Sequence, residues 1–261
     1  MVQTPASTRA APPADNPPAF ETGWAFFLDI DGTLARLAHA PDAVTIQPAV
    51  IDVLRRLDKA TGGAIALITG RAITDVDRLF APLELPVAGQ HGIERRGADG
   101  HLARHAEAAR KLDTARHALT KFANSYAGLI FEDKGETLAL HYRGAPACRG
   151  AAKWLMTQQL EQLGPEFMLQ HGKMIFELRP SGRDKGTAIA EFMHEPPFEN
   201  RTPVFIGDDK TDEDGFKVVN QLGGRAIKVG PGKTIANFRL GNAADVLRWL
   251  ENYADFLNER S

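Results

Sequence analysis

The sequence predicts an α/β fold in which a doubly wound parallel sheet is interrupted by a smaller α/β insert. Short apolar segments alternate with segments of helical periodicity over residues 24–82 and again over residues 184–257. Because these apolar segments lack polar alternation, they are typical of strands buried on both faces of a parallel sheet. Over residues 105–178 the predicted strands alternate between polar and apolar residues, which indicates an antiparallel sheet with one covered face.

The composition is that of a globular protein with enough apolar residues for one large or two moderate domains. Of its 261 residues, 43% are apolar, and 33 acidic residues nearly balance 31 basic ones. This balance favours neither nucleic acid nor a membrane surface as partner, and no apolar run approaches the roughly 20 residues of a membrane span. The single cysteine, Cys148, excludes an internal disulfide framework and fits a cytoplasmic protein. The proline- and alanine-rich residues 1–22 predict a disordered tail.

The first predicted strand, residues 24–28, runs directly into Asp29 and Asp31. Side chains alternate along a strand, so both carboxylates leave its carboxyl end on one side, where open parallel sheets bind ligands. Two carboxylates there would repel each other unless a hard cation such as Mg²⁺ lies between them. A carboxylate beside a metal can also attack phosphorus and form an aspartyl phosphate. Ordinary strand-end acids are the alternative interpretation.

A helix from Pro48 to the Gly62-Gly63 pair leads to a second buried strand, residues 64–68, which ends in Thr69 and Arg71. The Thr69 hydroxyl can donate a hydrogen bond to a phosphoryl oxygen, and Arg71 adds a cation. A third strand over residues 86–89 then enters a glycine-flanked turn that contains His91. That histidine is a candidate substrate contact, or equally an ordinary turn histidine with satisfied hydrogen bonds.

The insert is predicted to contain helices near residues 112–126 and 156–163 and two hairpins, with strands at 128–132, 137–143, 167–170 and 174–178. Period-two counting gives each later strand of a hairpin one apolar and one polar face. The polar faces carry His141 and Arg143 in one strand and Lys173 and Glu177 around the other. These faces are either solvated or present hydrogen-bonding groups to a polyhydroxylated substrate.

After the insert, Asp184 is placed to cap a helix whose first turn contains Lys185. A cation there opposes the helix dipole, so a phosphate or aspartyl phosphate nearby would favour it. The next buried strand, residues 203–206, is followed by five carboxylates between residues 208 and 214, including Asp208, Asp209 and Asp212. Their position after an apolar strand favours a divalent-metal site. Residues 225–229 are predicted as the last strand, before a closing helix near residues 246–257.

Read together, Asp29–Thr33, Thr69, Lys185 and Gly207–Asp209 occur in the order used by haloacid dehalogenase-type phosphatases. Within that superfamily the chain most resembles the trehalose-6-phosphate phosphatases. The resemblance spans roughly residues 24–250 and is carried by residues 29–33, 67–71, 89–94, 172–180 and 207–214. It implies a Rossmann-like core, residues 23–104 and 179–258, with an α/β cap inserted at residues 105–178.

The resemblance also implies residue roles. Asp29 would be the nucleophile and Asp31 the general acid/base, while Thr69 and Lys185 would hold the phosphoryl oxygens. The implied Mg²⁺ cofactor would involve the acids Asp29, Asp31 (through its backbone carbonyl), Asp208, Asp209 and Asp212. The implied substrate contacts are Arg71, His91, Lys173, Glu177, His141 and Arg143. The implied reaction is hydrolysis of trehalose 6-phosphate, with trehalose-6-phosphate synthase as pathway partner and a monomer as the working expectation.

Three alternatives stay open at this point. The chain could act on another sugar phosphate, such as sucrose phosphate or a phosphoglycerate-linked sugar. A signalling receiver domain also combines acids, threonine and lysine around a phospho-aspartate, but receivers are about half this length and lack a cap. A non-catalytic subunit is the third alternative, although such a protein need not keep every catalytic motif.

Overall fold

The computed structural model describes residues 16–36, 43–104 and 110–260. Of the predicted tail, residues 1–15 lie outside the described residues. The strands are β1 (Trp24–Leu28), β2 (Ile65–Ile68), β3 (Val87–Gly89), β4 (Glu94–Arg96), β5 (Leu102–Arg104), β6 (Ile130–Asp133), β7 (Leu138–His141), β8 (Phe167–Gly172), β9 (Ile175–Pro180), β10 (Thr202–Gly207), β11 (Arg225–Val229) and β12 (Phe238–Leu240). The α-helices are α1 (Pro48–Thr61), α2 (Ile73–Phe80), α3 (Asp113–Asn124), α4 (Arg149–Leu163), α5 (Lys185–Phe192), α6 (Glu213–Gln221) and α7 (Ala243–Asn258).

The larger sheet has eight strands in the order β12-β11-β10-β1-β2-β3-β4-β5. The strands from β12 to β3 are parallel, and β4 and β5 continue the sheet antiparallel. From β1 the chain adds β2 and β3 on one side and returns much later to add β10 on the other. The boundary between β1 and β10 is therefore the topological switch point, where such sheets bind ligands. This sheet confirms the predicted α/β class with a parallel core.

Both faces of the larger sheet are covered by helices. Trp24, Phe26 and Leu28 of β1 belong to one core cluster, which includes residues of α1, α2 and α7. Ala25 and Phe27 belong to a second cluster on the opposite face, together with residues of α5 and α6. Successive residues of β1 thus enter different apolar layers, which explains why the strand shows no polar alternation.

Phe20 lies within the segment predicted as a disordered tail, yet it packs on the core. Its ring lies 5.6 Å from Trp249, 5.5 Å from Tyr253 and 5.6 Å from Phe256, measured between ring centroids. Such aromatic contacts bury large apolar surfaces. Residues 16–22 are therefore at least partly anchored to α7.

The smaller sheet has four antiparallel strands in the order β6-β7-β9-β8. One face packs on α3 and α4 in a separate core cluster that includes Leu138, Leu140, Phe176 and Leu178. This confirms the apolar face that period-two counting predicts for these strands. The opposite face carries Glu177, which is buried and lies against His91 in the turn between β3 and β4.

Three details differ from the sequence prediction. The sequence predicts the second hairpin turn at residues 171–173, but Gly172 pairs with Ile175, so the turn consists of Lys173 and Met174. Met174 adopts a left-handed φ of 68°, which ends the extended conformation. The strand predicted as last is followed by β12, and β4 and β5 were not predicted. Each of these strands has only three residues, and β4 consists of Glu-Arg-Arg, so no hydrophobic pattern predicts them.

Within the described ranges, we find no helix with the length and apolar character needed to cross a bilayer.

Candidate active site

Asp29 and Lys185 meet at the carboxyl end of β1. Asp29 is 4% exposed, and its backbone N–H donates to the carbonyl of Ile206 in β10. Lys185 Nζ donates to Asp29 Oδ1 and to Asp212 Oδ1, each at 2.6 Å. Burial alone would lower the pKa of Lys185, but Asp212 and Asp29 raise it above its usual value. The lysine is therefore a permanent positive charge between two buried carboxylates.

The acids at the ends of β1 and β10 form a compact cluster. Oxygen atoms of Asp29, Asp208 and Asp212 all lie within 4.8 Å of one another. Burial raises the pKa of Asp29 well above its usual value, although Lys185 opposes the shift. Burial, together with Asp212 and Asp209, raises the pKa of Asp208 to about 7. The raised pKa values mean that burial and mutual repulsion disfavour the ionised carboxylates of this cluster. A hard cation such as Mg²⁺ would favour them, and carboxylate oxygens are the ligands that it prefers.

Gly32 allows this close approach. Its φ is +88°, and a Cβ atom added there would lie 2.1 Å from Asp208 Oδ2. A side chain at position 32 would therefore displace the Asp208 carboxylate as well as strain the backbone. Gly32 of the Asp-x-Asp-Gly-Thr segment thus leaves space for Asp208, which lies more than 170 residues later in the sequence.

Asp31 points its carboxylate toward a different partner. Arg71 donates from Nε to Asp31 Oδ2 and from Nη2 to Asp31 Oδ1, both at 2.7 Å. Such a bidentate pair fixes the plane and orientation of the carboxylate. Arg71 lies two residues before the start of α2, whose first N–H, from Ile73, donates to buried Glu94 Oε1 at 2.7 Å. Glu94 thus caps the helix that follows Arg71, because the N-cap residue Ala72 has no side-chain acceptor.

Asp209 and Asp212 organise the turn after β10. Asp212 Oδ2 accepts the backbone N–H of Asp209 at 2.8 Å, while Asp209 Oδ1 accepts the N–H of Lys210 at 2.7 Å. Among the described residues, the carboxylates of Asp31 and Asp209 do not join the three-acid cluster. The predicted roles of Asp31, through its backbone carbonyl, and of Asp209 in metal binding stay predictions.

A cavity of about 430 Å³ opens over the acidic cluster. Thr69 is buried on its wall, and the Arg71 N–H donates to Thr69 Oγ1 at 3.2 Å. Two exposed cations of the insert, Arg143 and Lys173, also line this cavity. The predicted residues that line this cavity are Asp29, Asp31, Thr69, His91, Arg143, Lys173, Lys185, Asp208 and Asp209. Residues predicted from widely separated motifs are therefore brought to one site.

A second cavity of about 290 Å³ adjoins the first and shares Arg143, Lys173 and His91 with it. Lys134 Nζ lies on its wall and donates to the Gly70 carbonyl at 3.0 Å and to Glu177 Oε1 at 3.2 Å. Burial alone would raise the pKa of Glu177, but Lys134 and His91 hold it well below its usual value. The other predicted contacts that line this cavity are Arg71, His141 and Glu177.

His141 reaches this cavity as part of a pair. Its Nε2 lies 2.7 Å from Glu132 Oε2, so one ring nitrogen is already engaged by the carboxylate. Glu132 and Lys134 line the cavity but were not selected from the sequence. They are two residues apart, and counting alternate positions along the first hairpin strand could have placed both on the polar face.

His91 connects the two sheets. It is buried, its φ is 58°, and its Nε2 lies 3.7 Å from Glu177 Oε2. Burial lowers the pKa of His91, although Glu177 opposes the shift. Gln170 of β8 lies 3.5 Å from the same ring nitrogen. The imidazole therefore sits where the larger sheet, the insert and the cavity meet.

Solved structures share this fold. A trehalose-6-phosphate phosphatase related protein superposes with a TM-score of 0.79 at 24% identity, covering 91% of this chain and all (100%) of that one. A phosphatase of the haloalkanoate (HAD) superfamily, BT1666 from Bacteroides thetaiotaomicron, gives a TM-score of 0.59 at 16% identity, covering 88% of this chain and 94% of its own. At these identities the matches establish a HAD-like fold.

The family model for trehalose-phosphatase matches residues 27–242, which include both acidic strand ends and the insert. The chain belongs to the trehalose-phosphatase family. A trehalose-6-phosphate phosphatase from Escherichia coli K12 is 42% identical over 251 residues, covering 95% of this chain and 93% of that protein. A protein of Sinorhizobium fredii NGR234, named a probable trehalose-phosphate phosphatase, is 47% identical over 208 residues, covering 80% and 78% of the two chains. The family assignment thus extends over nearly the whole described chain.

Proposed function

We propose that this protein is a phosphatase that hydrolyses trehalose 6-phosphate to trehalose and phosphate. The observation that supports this proposal most is the 42% identity with the Escherichia coli phosphatase over 95% of the chain. The two adjoining cavities agree with it. One is lined by acids and Lys185, which suits a phosphoryl group, and the other by charged groups of the insert, which suit sugar hydroxyls.

In the proposed mechanism, Asp29 attacks phosphorus while the bond between phosphorus and the sugar oxygen breaks, forming an aspartyl phosphate. Asp31 donates a proton to the departing sugar oxygen. A water molecule then attacks phosphorus, Asp31 takes its proton, and the bond to Asp29 breaks. The bidentate contact from Arg71 holds the Asp31 carboxylate in one orientation, which suits its role as the base for water. When Asp31 carries the proton for the sugar oxygen, the protonated oxygen would have to release its hydrogen bond from Arg71.

Lys185 and Thr69 are proposed to position the phosphoryl oxygens. Phosphoryl transfer depends mainly on positioning and charge stabilisation rather than on elaborate covalent chemistry. Lys185 already offsets the charge of Asp29, and Asp212 holds its ammonium in place. The Thr69 hydroxyl faces the same cavity.

We further propose Mg²⁺ as the cofactor, held by Asp29, Asp208 and the Asp31 carbonyl. The oxygen donors, the close approach of the three carboxylates and the space that Gly32 leaves for Asp208 all fit this ion. When bound, the ion would neutralise charge on the transferring phosphoryl group. Both oxygens of Asp212 already accept hydrogen bonds, so we assign it to positioning Lys185 and the Asp209 backbone.

The insert is proposed to be a cap, residues 105–178, that recognises the sugar. Its candidate contacts are Arg143, Lys173, Glu177 and His141, with Lys134 and Glu132 added by the structure. The cytoplasmic location, the monomeric state and the pathway link to a synthase stay predictions.

A phosphate-release assay tests the proposed function. With Mg²⁺ present, we expect trehalose 6-phosphate to be hydrolysed with a higher kcat/KM than sucrose phosphate or glucose 6-phosphate. Asp29→Asn should abolish turnover of every substrate while keeping the circular dichroism spectrum, because an amide cannot attack phosphorus. A preference for sucrose phosphate would replace the substrate but keep the phosphatase assignment. Normal turnover by Asp29→Asn would remove Asp29 as the nucleophile.

A further inference from the structure

Gln90 follows β3 and is buried beneath the junction of the two sheets, although it lines neither cavity described above. We propose that Gln90 is a positioning residue. It holds the β6–β7 hairpin against the larger sheet and so places Lys134 in the wall of the second cavity, where the sugar is proposed to bind. This inference rests on the proposed function for the identity of the substrate. It concerns a residue that acts through Lys134 rather than by touching the sugar.

The backbone around Gln90 is held in an unfavourable conformation. Gln90 and His91 have φ values of 47° and 58°, and Gly92 continues the left-handed turn with a φ of 92°. Left-handed backbone is costly for residues other than glycine. Two hydrogen bonds maintain it: Gln90 N–H donates to the Arg71 carbonyl at 2.9 Å, and His91 N–H donates to the Thr69 carbonyl at 2.8 Å. The turn is thus fixed to the segment that carries the phosphoryl-binding candidates.

Both ends of the Gln90 side chain contact the hairpin. Nε2 donates to the Lys134 carbonyl at 2.8 Å, and Oε1 lies 3.1 Å from Thr137 Oγ1, which is the donor. Thr137 Oγ1 also lies 3.1 Å from Glu177 Oε1, so its single proton is shared between the two acceptors. Because the Lys134 carbonyl can only accept, this contact defines which end of the amide is nitrogen. Gln90 therefore engages the hairpin on both sides of its turn.

The hairpin in turn places a charge in the pocket. The Lys134 ammonium lies 3.0 Å from the Gly70 carbonyl and 3.2 Å from Glu177 Oε1. The same residue therefore gives its carbonyl to Gln90 and its ammonium to the cavity wall. Loss of the Gln90 contacts would release the backbone of Lys134, whose carbonyl would lose this donor, and would leave the Thr137 hydroxyl with Glu177 as its acceptor. We expect the ammonium to lose its fixed position relative to the sugar.

A purely structural role makes a different prediction. If Gln90 only satisfies buried hydrogen bonds, its removal lowers stability and affects all substrates alike. If it positions Lys134, the loss falls on substrates that reach the second cavity. A small aryl phosphate occupies only the first cavity, so the ratio of two kcat/KM values separates the roles.

The experiment compares Gln90→Leu with Gln159→Leu on trehalose 6-phosphate and on p-nitrophenyl phosphate. Gln159 is another buried glutamine, on α4, and it lines neither cavity described above. We expect Gln90→Leu to reduce kcat/KM for trehalose 6-phosphate about tenfold to a hundredfold, mainly through KM, since two hydrogen bonds are lost. Its kcat/KM for p-nitrophenyl phosphate should stay within about twofold of the wild type. Gln159→Leu should leave the ratio of the two kcat/KM values unchanged. Hydrogen exchange at residues 134–137 should accelerate only in Gln90→Leu.

Equal losses on both substrates, or no loss on either, would overturn the inference. If Gln90→Leu does not fold, Gln90→Asn keeps the amide but is one methylene shorter, and it should show the same selective loss. A wild-type enzyme that prefers another sugar phosphate would contradict the proposed function instead. In that case the ratio is measured with the preferred sugar phosphate, and the inference is judged on that substrate.

Discussion

At the scale of single residues, the site is governed by how buried charges are compensated. Lys185 and Asp212 are almost fully buried, and a buried charge is costly unless it is paired and hydrogen-bonded. Lys185 forms ion pairs with both Asp29 and Asp212. Among the described residues, the Asp208 carboxylate forms no comparable ion pair, and its pKa is raised. Asp208 is also the residue for whose carboxylate Gly32 leaves space in the cluster.

This geometry predicts the effect of Gly32→Ala. The new Cβ would occupy the position of the Asp208 carboxylate, so the variant should lose nearly all Mg²⁺-dependent activity and weaken Mg²⁺ binding in calorimetry. Gly23→Ala is the matched control, because Gly23 has a similar φ of +76° but nothing within 4 Å of an added Cβ. Both variants should lose about 1–2 kcal/mol of unfolding free energy from backbone strain. Retained Mg²⁺ affinity in Gly32→Ala would show that Asp208 does not need this space.

That the strand-end carboxylates lie at one edge of the sheet could be predicted from the sequence. Apolar segments predict the strands, and parallel strands end at the same edge of a sheet. The contacts of each carboxylate could not be predicted. The pairing of Asp31 with Arg71 depends on the path of a loop, and the Glu94 cap on α2 joins residues 21 positions apart that follow no local pattern.

At the scale of elements, the start of α5 determines where Lys185 points. Asp184 Oδ1 accepts the Thr187 N–H at 2.7 Å, and Thr187 Oγ1 accepts the Asp184 N–H at 2.9 Å, which forms a capping box. This reciprocal cap fixes the first turn, whose first residue is Lys185. The predicted cap at Asp184 is therefore confirmed, and it links helix stability to the position of a proposed catalytic group.

Asp184→Ala and Asn242→Ala separate these two effects. Asn242 caps α7 by accepting the N–H groups of Ala244 and Asp245, but α7 carries no residue of the site. Each variant should lose about 0.5–2 kcal/mol in urea unfolding. Only Asp184→Ala should also lower kcat, because its helix no longer holds Lys185 against Asp29. An unchanged kcat in Asp184→Ala would mean that Lys185 is positioned by its carboxylate partners alone.

At the scale of the whole molecule, the site forms where three distant parts of the chain meet. The meeting of β1 and β10 follows from the topology of a doubly wound sheet. The sequence pattern predicts the two strands and the fold class, while the resemblance implies that their acids share one metal site. The docking of the smaller sheet was not predictable in the same way. Alternation predicts its polar face and could have included Glu132 and Lys134. The contact of Gln90 with Lys134 depends on the orientation of that face against β3, which no local pattern predicts.

The same topology leads to a prediction about stability. A cation bound between Asp29 and Asp208, as proposed, would join the two halves of the larger sheet and would bind only the folded chain. At a Mg²⁺ concentration of about 100 times its dissociation constant, the folded state should gain about 2.7 kcal/mol. For a protein of this size the melting temperature should then rise by about 5–10 °C, and EDTA should reverse both the rise and the activity.

Asp208→Asn is the variant that isolates this effect. Without metal it should melt at or above the wild-type temperature, because one member of a mutually repelling cluster has lost its charge. With Mg²⁺ it should gain little stability and show little activity. The proposed metal site would be contradicted if Mg²⁺ did not change the melting temperature of the wild type. It would also be contradicted if Mg²⁺ raised the melting temperature of Asp208→Asn as much as that of the wild type. Asp208 would then have to be tolerated for another reason, because its repulsion by Asp212 and Asp209 destabilises the fold when no metal ion offsets it.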